Sequence, residues 1–435
     1  LGFNYDVFGD RSLTLRGGTG IFTGRVPFVW LTNMPTGAGV LQNTIEPGSY
    51  DQIKGWIGNV RFHPEDIYYH LNNVPAGAEN VFIKTPKDGA PSSFALVDKN
   101  FKMPSVWRSS IAADYKIPNS PVTLTTDILY TKDINGVFQL GANRKASTVK
   151  MDYAGVDRDF YPNAASYQYN TAIGANNATV LTNTKSKGYA FSATVGASVA
   201  PWNGLSGSLF YTYSEAEEVS ANAGSSASSA WGGSPVINSP NQDFLSISDF
   251  AVPHRVVANL SYTIQNTTLG IYYNGSHQGR YSLYHSYDLN GDGISNDLTF
   301  IPKESSDLNF ANILNKDGSV RYSVEDQRKA FDEYITLNDL EEYRGKIAPR
   351  NAFLLPWLNR FDVRILQDIY TNIGSRRNTL QFSLDIVNFG NFINSEWGIQ
   401  SNLNNGNRLL QRNGALSPDP NFNMIRVSNE LPSTP

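Results

Sequence analysis

The feature that most constrains this chain is a two-residue rhythm of apolar and small or polar side chains that recurs in pairs. Tyr189, Phe191, Ala193, Val195, Ala197 and Val199 alternate with Ala190, Ser192, Thr194, Gly196 and Ser198. Pro201-Trp202-Asn203-Gly204 supplies a tight turn. Leu205, Gly207, Leu209, Tyr211 and Tyr213 then alternate with Ser206, Ser208, Phe210, Thr212 and Ser214. Successive side chains of a strand point to opposite faces, so each such strand has one apolar and one polar face. Four more pairs follow the same plan: 1–8 with 12–22 around Gly9-Asp10, 106–117 with 122–131 around Asn119-Ser120, 255–264 with 268–278 around Gln265-Asn266-Thr267, and 360–371 with 378–388 around Gly374-Ser375-Arg376. The turns carry the Gly, Asn, Pro and Ser of hairpins.

Between pairs lie connections of roughly forty to eighty residues, too long for structureless links in a compact domain. Short turns at one end and long loops at the other, with an apolar and a polar face on every strand, is the layout of an outer-membrane barrel. The fold class expected is all-β: a transmembrane antiparallel β-barrel with long extracellular loops. Composition agrees. Only 17% of the 435 residues are charged while 12% are aromatic, with 23 Tyr, 23 Phe and 7 Trp, as interfacial girdles require. Mean hydropathy is -0.34, and no apolar run approaches the ~20 residues of a spanning helix. The absence of cysteine excludes disulfide frameworks and thiolate chemistry, and a net charge of -4 gives no basic field for nucleic acid. A secreted soluble β-rich binding or carbohydrate-active protein is the alternative; it would bury one face of each strand and keep shorter loops.

No signal peptide opens the sequence, and a short turn at 9–10 places both chain ends on the long-loop side. The expectation is that 1–435 is the C-terminal part of a larger barrel, without its plug, early strands and final strand.

The long loops are 23–105, 132–187, 215–252 and 279–359. Residues 221–229, a run of Ala, Asn, Gly and Ser, read as low-complexity and mobile. In 279–359 the period switches to helical after Ser323, an N-cap followed by Glu325 and Asp326. A second short helix is expected from Asn338. Together these suggest a folded cap.

Within that loop, Asp288, Asn290 and Asp292 are followed by Gly293, with Ile294 offering a carbonyl and Asn296 and Asp297 nearby. Converging oxygens at alternate positions before a glycine form the first half of a calcium loop, because a hard cation needs several oxygens and a sharp turn. Thr299 stands where a bidentate Glu would close the shell. An Asx turn built on the same residues needs no ion. The five histidines show no metal spacing, and His254 reads as a rim hydrogen-bonding residue. Gly17-Gly18-Thr19-Gly20 lies inside a strand, where glycine permits close packing. No nucleophile elbow is present. In the last pair, Phe361, Val363, Ile365 and Ile369 share a face opposite Asp362, Arg364 and Asp368, which suits a hydrated wall with internal ion pairs.

Several stretches together resemble the C-terminal barrel of Oar-like TonB-dependent receptors, whose precursors carry a carboxypeptidase-regulatory-like domain. They are Leu15–Arg25 with Pro27–Trp30, Pro253–Val256, Gly279–Ser282, Asp288–Pro302, Pro356–Asp362 and Asn388–Asn391. The resemblance implies a 22-stranded barrel, an N-terminal plug, coupling to the TonB system, outer-membrane lipid around the wall, and a peptide, protein or glycan ligand. It implies no enzymatic activity.

Overall fold

The computed structural model describes residues 1–37, 49–51, 54, 63–66, 69–73, 94–171, 178–285, 287–373, 375–403 and 408–425. Much of the first long loop, 23–105, and Gly374 of the last expected turn lie outside them. Ten strands form one antiparallel meander: β1 Gly2–Asp6, β2 Leu13–Thr23, β3 Ser105–Lys116, β4 Val122–Asn135, β5 Tyr189–Trp202, β6 Leu205–Glu218, β7 His254–Ile264, β8 Thr267–His277, β9 Trp357–Ile373 and β10 Arg376–Ile386. Every strand pairs with its neighbours in sequence. This is the all-β antiparallel architecture expected, with the strand pairs in the order in which the period placed them.

The turns explain the register. Asn203 and Gly204 both take positive φ, 48° and 83°, the backbone of a type I′ turn, whose twist matches its flanking strands. Register then runs from Val199 opposite Gly207 to Tyr189 opposite Glu217. Within the wall, Gly196 is required by packing: a Cβ there would meet the Phe210 ring at 2.2 Å and the Leu209 carbonyl oxygen at 2.5 Å. Gly17 likewise lies under the Phe3 ring. β4 to Asn135 and β6 to Glu218 run longer than the sequence suggested, continuing past the apolar rhythm into the loops, whereas β1 is shorter than the expected 1–8.

Loops 132–187 and 279–359, with the segment 408–425, assemble a second layer with its own core, drawn from residues 151–160, 281–310, 330–353 and 409–424 and including Met151, Phe160, Leu283, Leu298, Ile301, Phe331, Ile335 and Phe422. Helix α1, Val324–Leu337, starts at Ser323, whose Oγ accepts from Asp326 N while the Asp326 carboxylate accepts from Ser323 N. Its face of Ala330, Phe331, Tyr334 and Ile335 is buried. Two expectations are corrected. The helix foreseen at Asn338 is a 3-10 turn, Glu341–Tyr343; Asn338 instead ends α1, its Nδ2 donating to Tyr334 O. Residues 221–229 are built into the cap: Ser226 caps a short helix, Ala227–Gly232, that buries Ala230 and Trp231, and Asn222 Nδ2 donates to Val137 O. Small residues were needed there because the helix packs against a loop sheet in which Phe94–Val97 runs parallel to Ala178–Asn183, and the latter antiparallel to Val137–Gly141.

Candidate functional site

Two features of this fold bear on function: the two faces of the wall and the acidic loop of the cap. The ladder puts the alternating apolar positions of neighbouring strands on one surface, while Phe210, opposite Gly196 and Val257, lies on the other. Ile111, Val195, Leu209, Leu260 and Ile271 project from the first surface and are 49–56% exposed. On β3 to β8 that face carries no charged residue between two sets of aromatic rings. The upper set, next to the long loops, is close to continuous. Trp107 meets Tyr130 at 6.1 Å, Tyr130 meets Tyr189 at 6.4 Å, and Phe191 meets Tyr213 at 6.4 Å. Tyr213 meets His254 at 5.6 Å, His254 meets His277 at 6.1 Å, and His277 meets Trp357 at 5.5 Å. The lower set, next to the short turns, includes Tyr115, Trp202 and Tyr262, all exposed. Trp107 to Tyr115 and His254 to Tyr262 each span eight residues, about 26 Å along a strand at ~3.3 Å per residue. His254 holds the rim position expected of it, with Nδ1 2.8 Å from Tyr211 Oη.

The opposite face is largely polar and carries paired side chains. Arg16 pairs with Asp114 at 3.0 Å and reaches Asp127 at 3.7 Å, and Thr125 donates to Asp114 at 2.8 Å. Thr194 and Thr212 hydrogen-bond at 2.8 Å, and Asn259 donates to Ser208. On the last hairpin Arg364 pairs with Asp385 at 2.5 Å and Arg360 with Asp362 at 3.3 Å, so the charged surface read from the sequence forms internal ion pairs.

The acidic loop is buried in the cap, and its side-chain oxygens turn onto backbone amides of the loop itself. Asp288 Oδ1 accepts from Gly291 N at 2.7 Å and Asp292 N at 3.0 Å, and its Oδ2 from Gly293 N at 2.7 Å. Gly291 and Gly293 take φ of 81° and 86°, which lets their amides turn inward. Asn290 Oδ1 accepts from Asp292 N and its Nδ2 donates to Asn238 O. Asp292 Oδ1 accepts from Ile294 N at 2.8 Å, and the Ile294 side chain is buried. Asn296 Nδ2 donates to Gly232 O and Ser234 O, and Asp297 Oδ2 accepts from Leu289 N at 2.9 Å. Among the described residues no group of three or more His, Asp and Glu side chains is gathered to hold a metal ion.

Sequence reasoning missed the arginines that answer this charge. Arg158, fully buried, pairs with Asp297 Oδ1 at 3.2 Å and donates to Leu298 O. Arg144 lies 4.0 Å from Asp292 Oδ2, donates to Asp292 O, and sits 5.0 Å from the Tyr167 ring and 4.7 Å from the Trp231 ring. Arg412 donates to Asp288 O at 2.8 Å. The one available signal was Arg158 amid Met151, Tyr153, Val156 and Phe160. Burial pushes the Asp297 carboxyl up to about 7 against the pull of Arg158, and raises Asp292 and Asp288. Burial also holds the neighbouring His285 neutral, down to about 3.

No family model matches the sequence, and no curated protein matches it. Among solved structures the chain is similar to the outer membrane transporter YddB from Escherichia coli, with 11% identity and a TM-score of 0.41 over 90% of this chain. It is also similar to the FrpB iron transporter from Neisseria meningitidis, with 9% identity and a TM-score of 0.37 over 100% of this chain. The chain spans 36% of the length of each of those two proteins.

Proposed function

We propose that the ten-strand sheet is part of the wall of an outer-membrane transporter or receptor barrel, with the loop layer as its cap on the cell exterior. The observation that carries this reading is the uncharged apolar face bracketed by aromatic belts. Amphipathic rings favour the headgroup level, and the face between them suits hydrocarbon. Tilted by ~40°, the 26 Å between belts becomes about 20 Å of height, close to the ~25 Å apolar band of such barrels. The polar face, with its closed ion pairs, would line the hydrated interior. The soluble alternative requires the apolar face to be a core, yet its central residues are half exposed. Fractionation of a diderm host expressing the full gene tests the reading. Recovery from the detergent-soluble outer membrane, with the cap shaved by external protease in intact cells, supports it. Recovery as soluble protein overturns it.

The finer reading rests on the Oar-like stretches from Leu15–Arg25 to Asn388–Asn391: a TonB-dependent receptor that takes up a peptide, protein or glycan and works with a plug domain and the TonB system, without chemistry of its own. Growth or secretion phenotypes that persist equally in a tonB deletion would sink that part. Calcium at Asp288–Asp297 has one argument beyond the residue order: Asp292 Oδ2 is buried and accepts no hydrogen bond among the described residues. An ion there competes with Arg144 for this oxygen and must take Asp288 from three amides. Terbium luminescence that calcium displaces, and that Asp292→Asn abolishes, supports the ion; no luminescence leaves an Asx turn.

A further inference from the structure

Where the cap meets the wall, three buried polar atoms have no hydrogen-bond partner among the described residues. Gln139 is 2% exposed, and neither its Oε1 nor its Nε2 has a hydrogen-bond partner among the described residues. Arg350 is also 2% exposed. Its Nη2 donates to Glu218 O at 2.9 Å and Val219 O at 2.8 Å, at the upper end of β6, but its Nη1 has no partner among the described residues. Both side chains line one small cavity of about 10 Å³, with Phe138, Trp231, Val236 and Pro240 and the polar Ser234 and Gln242 also in its wall. A buried guanidinium donor or amide left without a partner is costly, so native proteins fill such places. The space matches one water, which needs about 10–15 Å³ by this measure and two or more polar partners.

We infer that a single resident water sits between Arg350 and Gln139, accepting from Arg350 Nη1 and hydrogen-bonding one end of the Gln139 amide. It joins three parts of the molecule. Gln139 belongs to the loop strand Val137–Gly141, Arg350 to the fourth long loop, and the carbonyls of Glu218 and Val219 to the end of β6 and the residue after it. The surroundings hold the cavity to this size. Trp231 Nε1 donates to Asn241 Oδ1, which also accepts from Gly141 N, so the indole is pinned over Gly141, where a Cβ would meet it at 2.6 Å. The Phe244 ring lies 5.5 Å from the Arg350 guanidinium. The water thus bridges the loop strand and the fourth long loop where the cap meets the wall.

A crystal structure of the full chain at about 2 Å tests this directly. A peak within hydrogen-bonding distance of Arg350 Nη1 and of one Gln139 amide atom is expected. An empty cavity, or an anomalous peak there after a bromide soak, overturns the water in favour of a dry void or an anion site. Hydrogen exchange supplies a second reading. Gln139→Leu should fill the space, strand Arg350 Nη1 and speed exchange of the 137–141 and 218–220 amides about tenfold or more. Gln139→Glu, which keeps an acceptor, should stay near the wild-type rate. Unchanged exchange in Gln139→Leu, or equal acceleration in both variants, contradicts the inference.

Discussion

Val195 in the wall is 50% exposed and Ile335 in the cap is fully buried, although both are apolar residues in regular structure. The wall is one sheet thick. Its apolar side chains point away from the rest of the molecule, and its order comes from ladder hydrogen bonds and same-face side-chain pairs. The cap is packed like a soluble domain, with helix α1, several two-stranded pieces and buried aromatic residues around a common centre. Polar groups differ in parallel. In the wall they form partly exposed pairs such as Arg364 with Asp385, whereas in the cap Arg158 and Asp297 are shut away from solvent. The same chain therefore follows two rules for burial, which is what two different solvents on its surfaces would require.

Breaking the cap should cost most. Phe331→Ala should remove about 3–5 kcal/mol from cap stability, because a fully buried ring leaves a cavity. Arg158→Met, which leaves Asp297 buried without its cation, should cost a similar ~3–5 kcal/mol, and adding Asp297→Leu should recover much of it. Limited proteolysis of the cap in membrane-embedded protein measures both; a full loss carried over to the double variant would mean that Arg158 acts by packing alone. In the wall, Val195→Arg or Leu209→Arg should cost roughly 2–4 kcal/mol in a bilayer, and Thr194→Arg much less. Equal tolerance at Val195 and Thr194 would remove the distinction between the faces. Smaller still, Ser323→Ala should cost about 1 kcal/mol by uncapping α1.

The cap should also answer to pH where the wall does not. The raised Asp297, Asp292 and Asp288 carboxyls stabilise the folded cap fully below their unfolded pKa near 3.8, and that stability is lost as pH rises, through about 7 for Asp297. His285, held neutral, contributes stability above its unfolded pKa of 6.5 that is lost as pH falls towards about 3. The two oppose each other between pH 4 and 6.5. In His285→Asn the opposing contribution is gone, so cap stability should rise as pH drops from 7.5 to 5, while the wild type changes less. An identical slope in both proteins would mean that His285 titrates normally.

The wall was legible from sequence because its information is local: a period of two, and turn residues such as Asn203-Gly204, fix strands and pairing together. Ser323 was legible for the same reason, since a cap and its helix lie within four residues. The cap's assembly was not legible. Phe94–Val97 pairs with Ala178–Asn183 across more than eighty residues, and Arg144 meets Asp292 across 148. The Ala227–Gly232 helix hid in a Ser- and Ala-rich run because its order comes from Trp231 and Ala230 packing on a sheet made by other loops. In the acidic loop, the Asp, Asn and Gly of 288–293 correctly marked a tight turn, but nothing local announced that backbone amides would take up their oxygens or that three arginines would lie against them.

The central claim is that the apolar face of the wall meets lipid. The chain has no cysteine, so single cysteines along β7 can be read without background. Spin labels at 256, 257, 258, 259 and 260 in reconstituted bilayers should alternate. Val256, Ala258 and Leu260 positions should respond to lipid-soluble oxygen and Val257 and Asn259 positions to a water-soluble nickel chelate. Uniform response to the water-soluble reagent at all five would contradict the account.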